Sequence, residues 1–401
     1  MRIGVDLRSL EGGAQHRGIG RYASELLYSL SEIDQVNEYV FFTSAPKAKT
    51  PDLKLHGRFK YSNAAGRGDG LRGVKYIRIL YITPRPISID KYNLDVFFHI
   101  DTSQPLQTRK TPIVSVVYDL IPYIYKDLYQ HVHLGGYTPG HLIGYSRMRL
   151  KWRVMEGWLQ RYKKDARIIS ISEHTKKDLL NYVPGINAKK VIVIPLAAGK
   201  LPQIDKNSKD AMEKLGLKQF LFYVGGADPR KGLVNLASTL EKVWEEFPDT
   251  QIVFAGKEIN NTEVPEAVKL HKTIANLSKP KQVRLIGFVS DGELAWLYKN
   301  AVAFVFPSRY EGFGLPILEA MQAGCPVITY DNSSLPEVAG KGAMVLKDGL
   351  PMNKAICKLL GDSELRRKLI VNGKKQAAKF TWQYTAEQTL QVLESAAKEK
   401  S

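Results

Sequence analysis

PSRYEGFGLPILEAMQAGCPVITYDNSSLPEV, residues 307–338, follows the apolar run AVAFVF (301–306) and contains a second one, CPVITY (325–330). Between these two strand-like runs lie a glycine-bearing turn and a helical stretch. The first helical turn sits near Leu315–Pro316, where proline is tolerated because its missing N–H would be unpaired anyway. Strand, turn, helix, strand is the repeating unit of a parallel α/β sheet.

The same rhythm extends outward in both directions. FLFYVGG (220–226), TQIVFAG (250–256), QVRLIGFV (282–289) and GAMVL (342–346) predict further strands around it. Nearer the N-terminus RIGVDL, a helix around Arg21–Leu30, EYVFFTS, LDVFFHI, TPIVSVVYDL, ARIISIS and KVIVIPL repeat the alternation. Between the two series, residues 197–218 are polar and strand-free, which predicts a linker. The expected organisation is therefore two α/β domains, 1–197 and 198–379. The amphipathic stretch from about 380 to 401 is expected to be a helix packing back on the first.

The 401 residues, 44% hydrophobic and 24% charged, suffice for two separate cores. Cys325 and Cys357 form no CxxC pair, so a disulfide framework and a thiolate zinc site lack support and a reducing cytoplasm fits best. MRIGVDLRSL reads as a first strand rather than a signal peptide, and no apolar run reaches the ~18 residues that cross a bilayer. Residues 1–197 hold 30 Lys and Arg against 17 Asp and Glu, so +13 of the net +18 lies in the first half. Such a field attracts nucleic acid, anionic lipid or a phosphorylated acceptor alike. Residues 145–167, YSRMRLKWRVMEGWLQRYKKDAR, would form a helix with one apolar and one basic face. It reads either as a packed surface helix or as a contact for a membrane surface or anionic acceptor.

In residues 307–338 three features converge. Gly312 and Gly314 let backbone approach a ligand closely, and the helix N-terminus offers unpaired N–H groups at a positive dipole end. Glu311 and Glu319 flank the turn with seven residues between them. This combination suits a phosphate carrying a polyol, since ionised carboxylates accept from hydroxyls. Taken singly, Glu311 reads equally as a helix cap and Glu319 as a surface residue. In GADPRKG (226–232), Arg230 and Lys231 follow Gly225–Gly226 at a strand end, where ligands of parallel sheets gather. A cation there would stabilise charge growing on a departing diphosphate; alone, the pair is an ordinary solvated turn.

EGFGLPILEAMQAGCPVI resembles the E-x7-E region of retaining glycosyltransferase family 4, the group 1 glycosyltransferases. FVSDGELAWLYKNAVAFVFPS, NSSLPEVAGKGAMVL, FYVGGADPRKGLVNL and FTWQYTAEQTL resemble family segments in the expected order, covering nearly all of the C-terminal half. The resemblance implies a GT-B fold, two Rossmann-like parallel-sheet domains facing a central cleft, with donor mainly on the second and acceptor mainly on the first. It implies Glu311 on the hydroxyls of the transferred sugar, Glu319 on the ribose, and the amides of Phe313 to Leu315 on the diphosphate. Lys231, and with it Arg230, would hold phosphate. RGIGRY (17–22) resembles the family's glycine-rich loop after the first strand, with Gly18 and Gly20 closing over the diphosphate. VVYDLIP (116–122) has Tyr118–Asp119 where many members carry His-Asp, and Asp119 is a candidate for positioning the acceptor hydroxyl. SEHTKKDL (172–179) reads as a helix start capped by Ser172.

The implied reaction is retaining transfer of a hexose from a nucleotide sugar, by front-face attack without a covalent nucleophile. No DxD-like metal site is seen, so metal independence is expected, with no cofactor beyond the co-substrate. Likeness to bacterial polysaccharide mannosyltransferases makes GDP-mannose the first donor expected, with UDP- and dTDP-sugars open. The acceptor expected is a lipid-linked or glycan chain of a surface polysaccharide such as lipopolysaccharide. The enzyme would be cytoplasmic and peripheral on the anionic inner face of the plasma membrane. A silent GT-B partner that only binds nucleotide sugar is the competing reading. A nucleic-acid binder lacks any supporting motif, and a dinucleotide oxidoreductase lacks GxGxxG.

Overall fold

Strand and helix alternate through two parallel sheets in the computed structural model, which describes residues 1–7, 10, 18–43, 74–78, 87–100, 106–126, 156–157 and 159–400. The chain divides into two units. Unit 1 comprises the described residues within Met1–Leu120, Gly136–Leu196 and Thr381–Ser401; unit 2 comprises those within Ile121–Gly135 and Ala197–Phe380.

In unit 1 the strands β1 (Arg2–Asp6), β2 (Glu38–Thr43), β3 (Val74–Arg78), β5 (Val96–His99), β7 (Ile113–Val117), β8 (Arg167–Ser170) and β9 (Val191–Val193) form one sheet. Their order is β3-β2-β1-β5-β7-β8-β9, with every pairing parallel. The short strands β4 (Ile87–Ser88) and β6 (Leu106–Gln107) pair separately. The runs are apolar without alternation because helices cover such a sheet on both faces; Val5, Phe41, Phe97, Phe98, Val114 and Ile169 are all buried. The helix Gly18–Ile33 turns Tyr22, Leu26, Leu27 and Leu30 inward. It packs on the last helix, Trp382–Ala397, with the Tyr22 and Trp382 rings 5.9 Å apart. Thr385 Oγ1 donates to the Pro195 carbonyl at 2.8 Å, tying that helix to the end of unit 1's own sheet segment.

In unit 2, β10 (Phe220–Val224), β11 (Gln251–Ala255), β12 (Val283–Gly287), β13 (Ala303–Phe306), β14 (Val327–Tyr330) and β15 (Ala343–Leu346) are ordered β12-β11-β10-β13-β14-β15, again all parallel. The strand order reverses between β10 and β13, which opens a crevice beyond their carboxyl ends. Their register, Leu221↔Ala303 and Phe222↔Phe304, brings the loops after Val224 and Phe306 out side by side.

Two boundaries differ from the sequence reading. Residues 197–218 are not a bare linker: they carry the helix Lys206–Glu213, capped by Asp205, which accepts from Ser208 N at 2.8 Å. This helix packs on Asp291–Asn300 within unit 2. Ile121–Lys126, read as part of the first domain, belongs to unit 2, where the Tyr125 ring meets Tyr310 edge-on at 5.8 Å. Polar composition conceals the first, because a surface helix needs only a narrow buried stripe. Of the strands, β3, β4 and β6 have no counterpart in the sequence reading.

Candidate functional site

The loops after β10 and β13 are joined by backbone and side chain. After Gly225 and Gly226, Asp228 accepts from Arg230 N at 3.0 Å and starts the single 3-10 turn Pro229–Lys231. Gly232 then takes φ 69°, and a Cβ there would lie 2.6 Å from the Pro307 carbonyl oxygen, so only glycine lets the β10 loop lie against the β13 loop. Arg309 N donates to Arg230 O at 2.8 Å across this junction. The Arg230 guanidinium donates to Tyr310 O at 2.6 Å.

Glu311 is the focus of the cluster. Its Oε1 accepts from Lys231 Nζ at 2.5 Å and from Ser308 Oγ at 2.6 Å, and lies 3.4 Å from Arg230 Nη1. Lys231 and Glu311 are each 13% exposed. The Lys231 ammonium also sits 5.2 Å from the centre of the Phe306 ring, a cation–π contact. Burial pushes the Glu311 carboxyl up, but the Lys231 and Arg230 charges and the bonds from Lys231 and Ser308 outweigh it, leaving its pKa below the ordinary value. It is thus a carboxylate at neutral pH, in a site carrying two cations. Tyr223, beneath the cluster, is held neutral by burial and by the nearby Glu311 charge.

The backbone from Glu311 to Leu315 is pinned by two serines. Glu311 N donates to Ser333 Oγ at 3.0 Å, and Ser334 Oγ reaches Glu311 O at 2.9 Å and Phe313 O at 2.7 Å. Ser333 itself adopts φ 47°. Gly314, at φ 110°, is the N-cap of the helix Leu315–Ala323, and no side chain caps that helix; Glu311 therefore does not cap it. The amides of Phe313, Gly314 and Leu315 lie at a positive helix terminus, the local arrangement that receives phosphate. Gly312 continues the same turn. Phe313 is buried edge-on against Phe380 at 5.8 Å. Glu319, one helical turn on, is buried rather than solvated, and accepts from Tyr298 OH at 3.2 Å.

Unit 2 therefore gathers Glu311, Lys231, Arg230, Gly225, Gly226, Gly312, Phe313, Gly314 and Leu315 at one end of its sheet, with Glu319 one helical turn beyond Leu315 and bonded to Tyr298. Gly18, Gly20 and Asp119 belong to unit 1. Gly18 and Gly20 are helical, within Gly18–Ile33, where the sequence reading placed them in a loop; Gly18 is exposed and Gly20 buried. Asp119 follows β7 and is partly exposed. Tyr118 donates its hydroxyl to Ile100 O at 3.1 Å and meets the Tyr22 ring edge-on at 5.3 Å, a packed position. Ser172 caps Glu173–Tyr182 by accepting from Thr175 N at 3.0 Å. The basic stretch 145–167 lies mostly outside the described residues. Sequence reasoning missed Ser308, Ser333, Ser334 and Tyr298; the small hydroxyls just after β13 and β14 are the signal that could have found the serines.

Residues 205–376 match the family model described as glycosyl transferases group 1. The chain is 25% identical over 385 residues to O-antigen chain mannosyltransferase B of Escherichia coli, covering 93% of this chain and 94% of that protein. Among solved structures, sucrose-phosphate synthase from Thermosynechococcus elongatus superposes with a TM-score of 0.69 at 18% identity, covering 98% of both chains. Anabaena HepE in complex with UDP and glucose gives 0.68 at 15% identity, covering 98% of this chain and 100% of that one. At these identities the structural likeness speaks for fold.

Proposed function

We propose, from the premise that this chain belongs to the group 1 glycosyl transferases and is a hexosyltransferase of GT-B fold, that it moves mannose from GDP-mannose onto a lipid-linked or polysaccharide acceptor of a bacterial surface glycan. The observation that carries the reading is the Glu311 carboxylate bound to Lys231, Arg230 and Ser308 beside the N-terminus of Leu315–Ala323. A nucleotide sugar presents both partners this arrangement calls for: hydroxyls for Glu311, and a diphosphate for the cations and the amides of Phe313 to Leu315. The buried Glu319 is assigned to the ribose. As the sugar–phosphate bond breaks, negative charge grows on the leaving diphosphate, and the fixed Lys231 and Arg230 charges stabilise that state more than the ground state. The same cations are our reason for proposing transfer without a divalent ion. Asp119, on unit 1, is proposed to position the acceptor hydroxyl. The excess positive charge of the first half supports an anionic, membrane-surface acceptor, and with it a peripheral cytoplasmic enzyme.

Mannose is favoured by likeness to the O-antigen mannosyltransferase. The test is to incubate the wild type, Glu311→Ala and Lys231→Ala with GDP-mannose, UDP-glucose, UDP-GlcNAc, UDP-galactose and dTDP-rhamnose in the presence of a chelator, measuring nucleotide release. Turnover of GDP-mannose, reduced ~10²–10³-fold in both variants, is expected. Turnover of a UDP-sugar alone would replace the donor and leave the site; unchanged turnover in both variants would overturn the site.

A further inference from the structure

Unit 1 contains a concavity of about 930 Å³ at the amino ends of β7 and β8, lined by Arg109, Lys110, Arg161, Lys164, Asp165 and Glu399 among others. This is the end of the unit 1 sheet opposite the strand termini where α/β folds bind substrate. Its rim is built by one carboxylate. Asp90 accepts from the backbone N–H groups of Arg109 at 2.8 Å, Lys110 at 3.3 Å and Thr111 at 3.3 Å, and from the Thr108 hydroxyl. Burial alone would raise its pKa, but these bonds bring it down to about 2, so the turn is fixed at every physiological pH. With its amides engaged by Asp90, the turn has its cationic side chains left to offer. Among the described residues, the side chains of Arg109, Lys110 and Lys164 have no ion-pair partner. Glu399, on the opposite rim, is paired with Arg167.

The floor holds a buried carboxyl, Asp165, within reach of the Arg161 charge. Asp165 is 1% exposed, and its Oδ2 has no hydrogen-bond partner among the described residues. A buried carboxyl oxygen in that state calls for a donor. Inorganic phosphate would match the rim but carries no alcohol hydroxyl, set apart from the phosphate, for the floor; a neutral sugar would match the floor and leave three cations unmatched. We propose that this concavity binds a phosphate ester bearing a neighbouring hydroxyl, with Arg109, Lys110 and Lys164 holding the phosphate and Asp165 accepting from the hydroxyl. The ester is either a soluble sugar or polyol phosphate or the headgroup of a phosphoglycerolipid. This site is separate from the donor site of unit 2 and does not depend on its reading.

The test measures equilibrium dialysis of labelled glycerol 3-phosphate and of inorganic phosphate, and sedimentation with phosphatidylglycerol against phosphatidylcholine vesicles. The proteins are the wild type, Arg109→Gln/Lys110→Gln, Asp165→Asn and Lys231→Gln, each checked for an unchanged circular dichroism spectrum. Glycerol 3-phosphate is expected to bind more tightly than inorganic phosphate and to lose roughly tenfold or more in the double variant, as expected for loss of charge-assisted contacts. Asp165→Asn should weaken the ester and leave inorganic phosphate unchanged, while Lys231→Gln should change neither. A lipid source is indicated if phosphatidylglycerol vesicles also sediment the protein, glycerol 3-phosphate displaces it, and the double variant does not sediment. A soluble source is indicated if they do not sediment it. The proposal is overturned if neither probe binds, if the double variant binds as the wild type does, or if only Lys231→Gln loses the ester.

Discussion

Glu311 does two things that pull against each other at the level of one side chain. It neutralises Lys231 and Arg230 in a largely buried cluster, and under the proposed function it must exchange those partners for sugar hydroxyls when the diphosphate arrives to take the cations. Removing one member of such a cluster leaves an uncompensated charge, which in buried pairs costs about 3–5 kcal/mol, so activity losses in its variants need to be read beside their stability. Asp165 presents the opposite electrostatic case. Burial raises its pKa from 3.8 to about 7, and Ser115, Arg161 and Lys190 offset this only in part. The folded protein therefore keeps a proton that the unfolded chain has released, so stability from this group falls as the pH climbs from the ordinary carboxylate pKa to about 7. Asp165→Asn removes that penalty. Its melting temperature should exceed the wild type's at pH 7.5, by roughly 2–4 °C for each kcal/mol recovered, and the gap should narrow markedly by pH 4.5. Parallel thermal-melting curves across that range would contradict the assignment.

At the scale of elements, the site rests on a turn whose geometry is imposed from outside. Gly314 at φ 110° begins the helix Leu315–Ala323, and the two serines after β14 fix the carbonyls and amide on its approach. A side chain at that φ is strained by about 1–2 kcal/mol, and a Cβ would also come within 3.1 Å of Leu335 Cδ2. Gly314→Ala should therefore lower stability by about that amount in urea denaturation. It should also weaken nucleotide binding, measured by calorimetry with GDP, beyond what stability explains, because the displaced amides are those assigned to the diphosphate. Equal nucleotide affinity in the variant would mean that the amides of this turn do not carry the phosphate. The loop after β10 reaches the same place by a different route, through Gly232 and the Arg309–Arg230 backbone bond.

At the scale of the whole molecule, the last helix returns to unit 1, so that the unit is completed by residues at the far end of the sequence. Trp382, 9% exposed and packed against Tyr22, is the anchor of that return. Trp382→Ala should destabilise unit 1 by roughly 3–5 kcal/mol, the usual cost of emptying a buried aromatic site. The variant should show an earlier first transition in calorimetry and little change in unit 2; a single unshifted transition would argue against it. The α/β rhythm, the strands of both series except β3, β4 and β6, and the glycine turn that opens the helix Leu315–Ala323 were all determined by the sequence. Their signals are local: apolar runs of strand length, glycine and proline punctuation, and charge at fixed spacing along one segment. What tertiary structure decided is where separate segments meet. The reversal of strand order between β10 and β13 brings Lys231 to Glu311 across 80 positions of chain, and Ser333 and Ser334 arrive from the loop after the next strand. The helical state of Gly18 and Gly20, the burial of Glu319 and the membership of Ile121–Lys126 in unit 2 were likewise decided there. The physical reason is that strand order and side-chain burial depend on which surfaces cover one another, and local sequence carries no record of that choice.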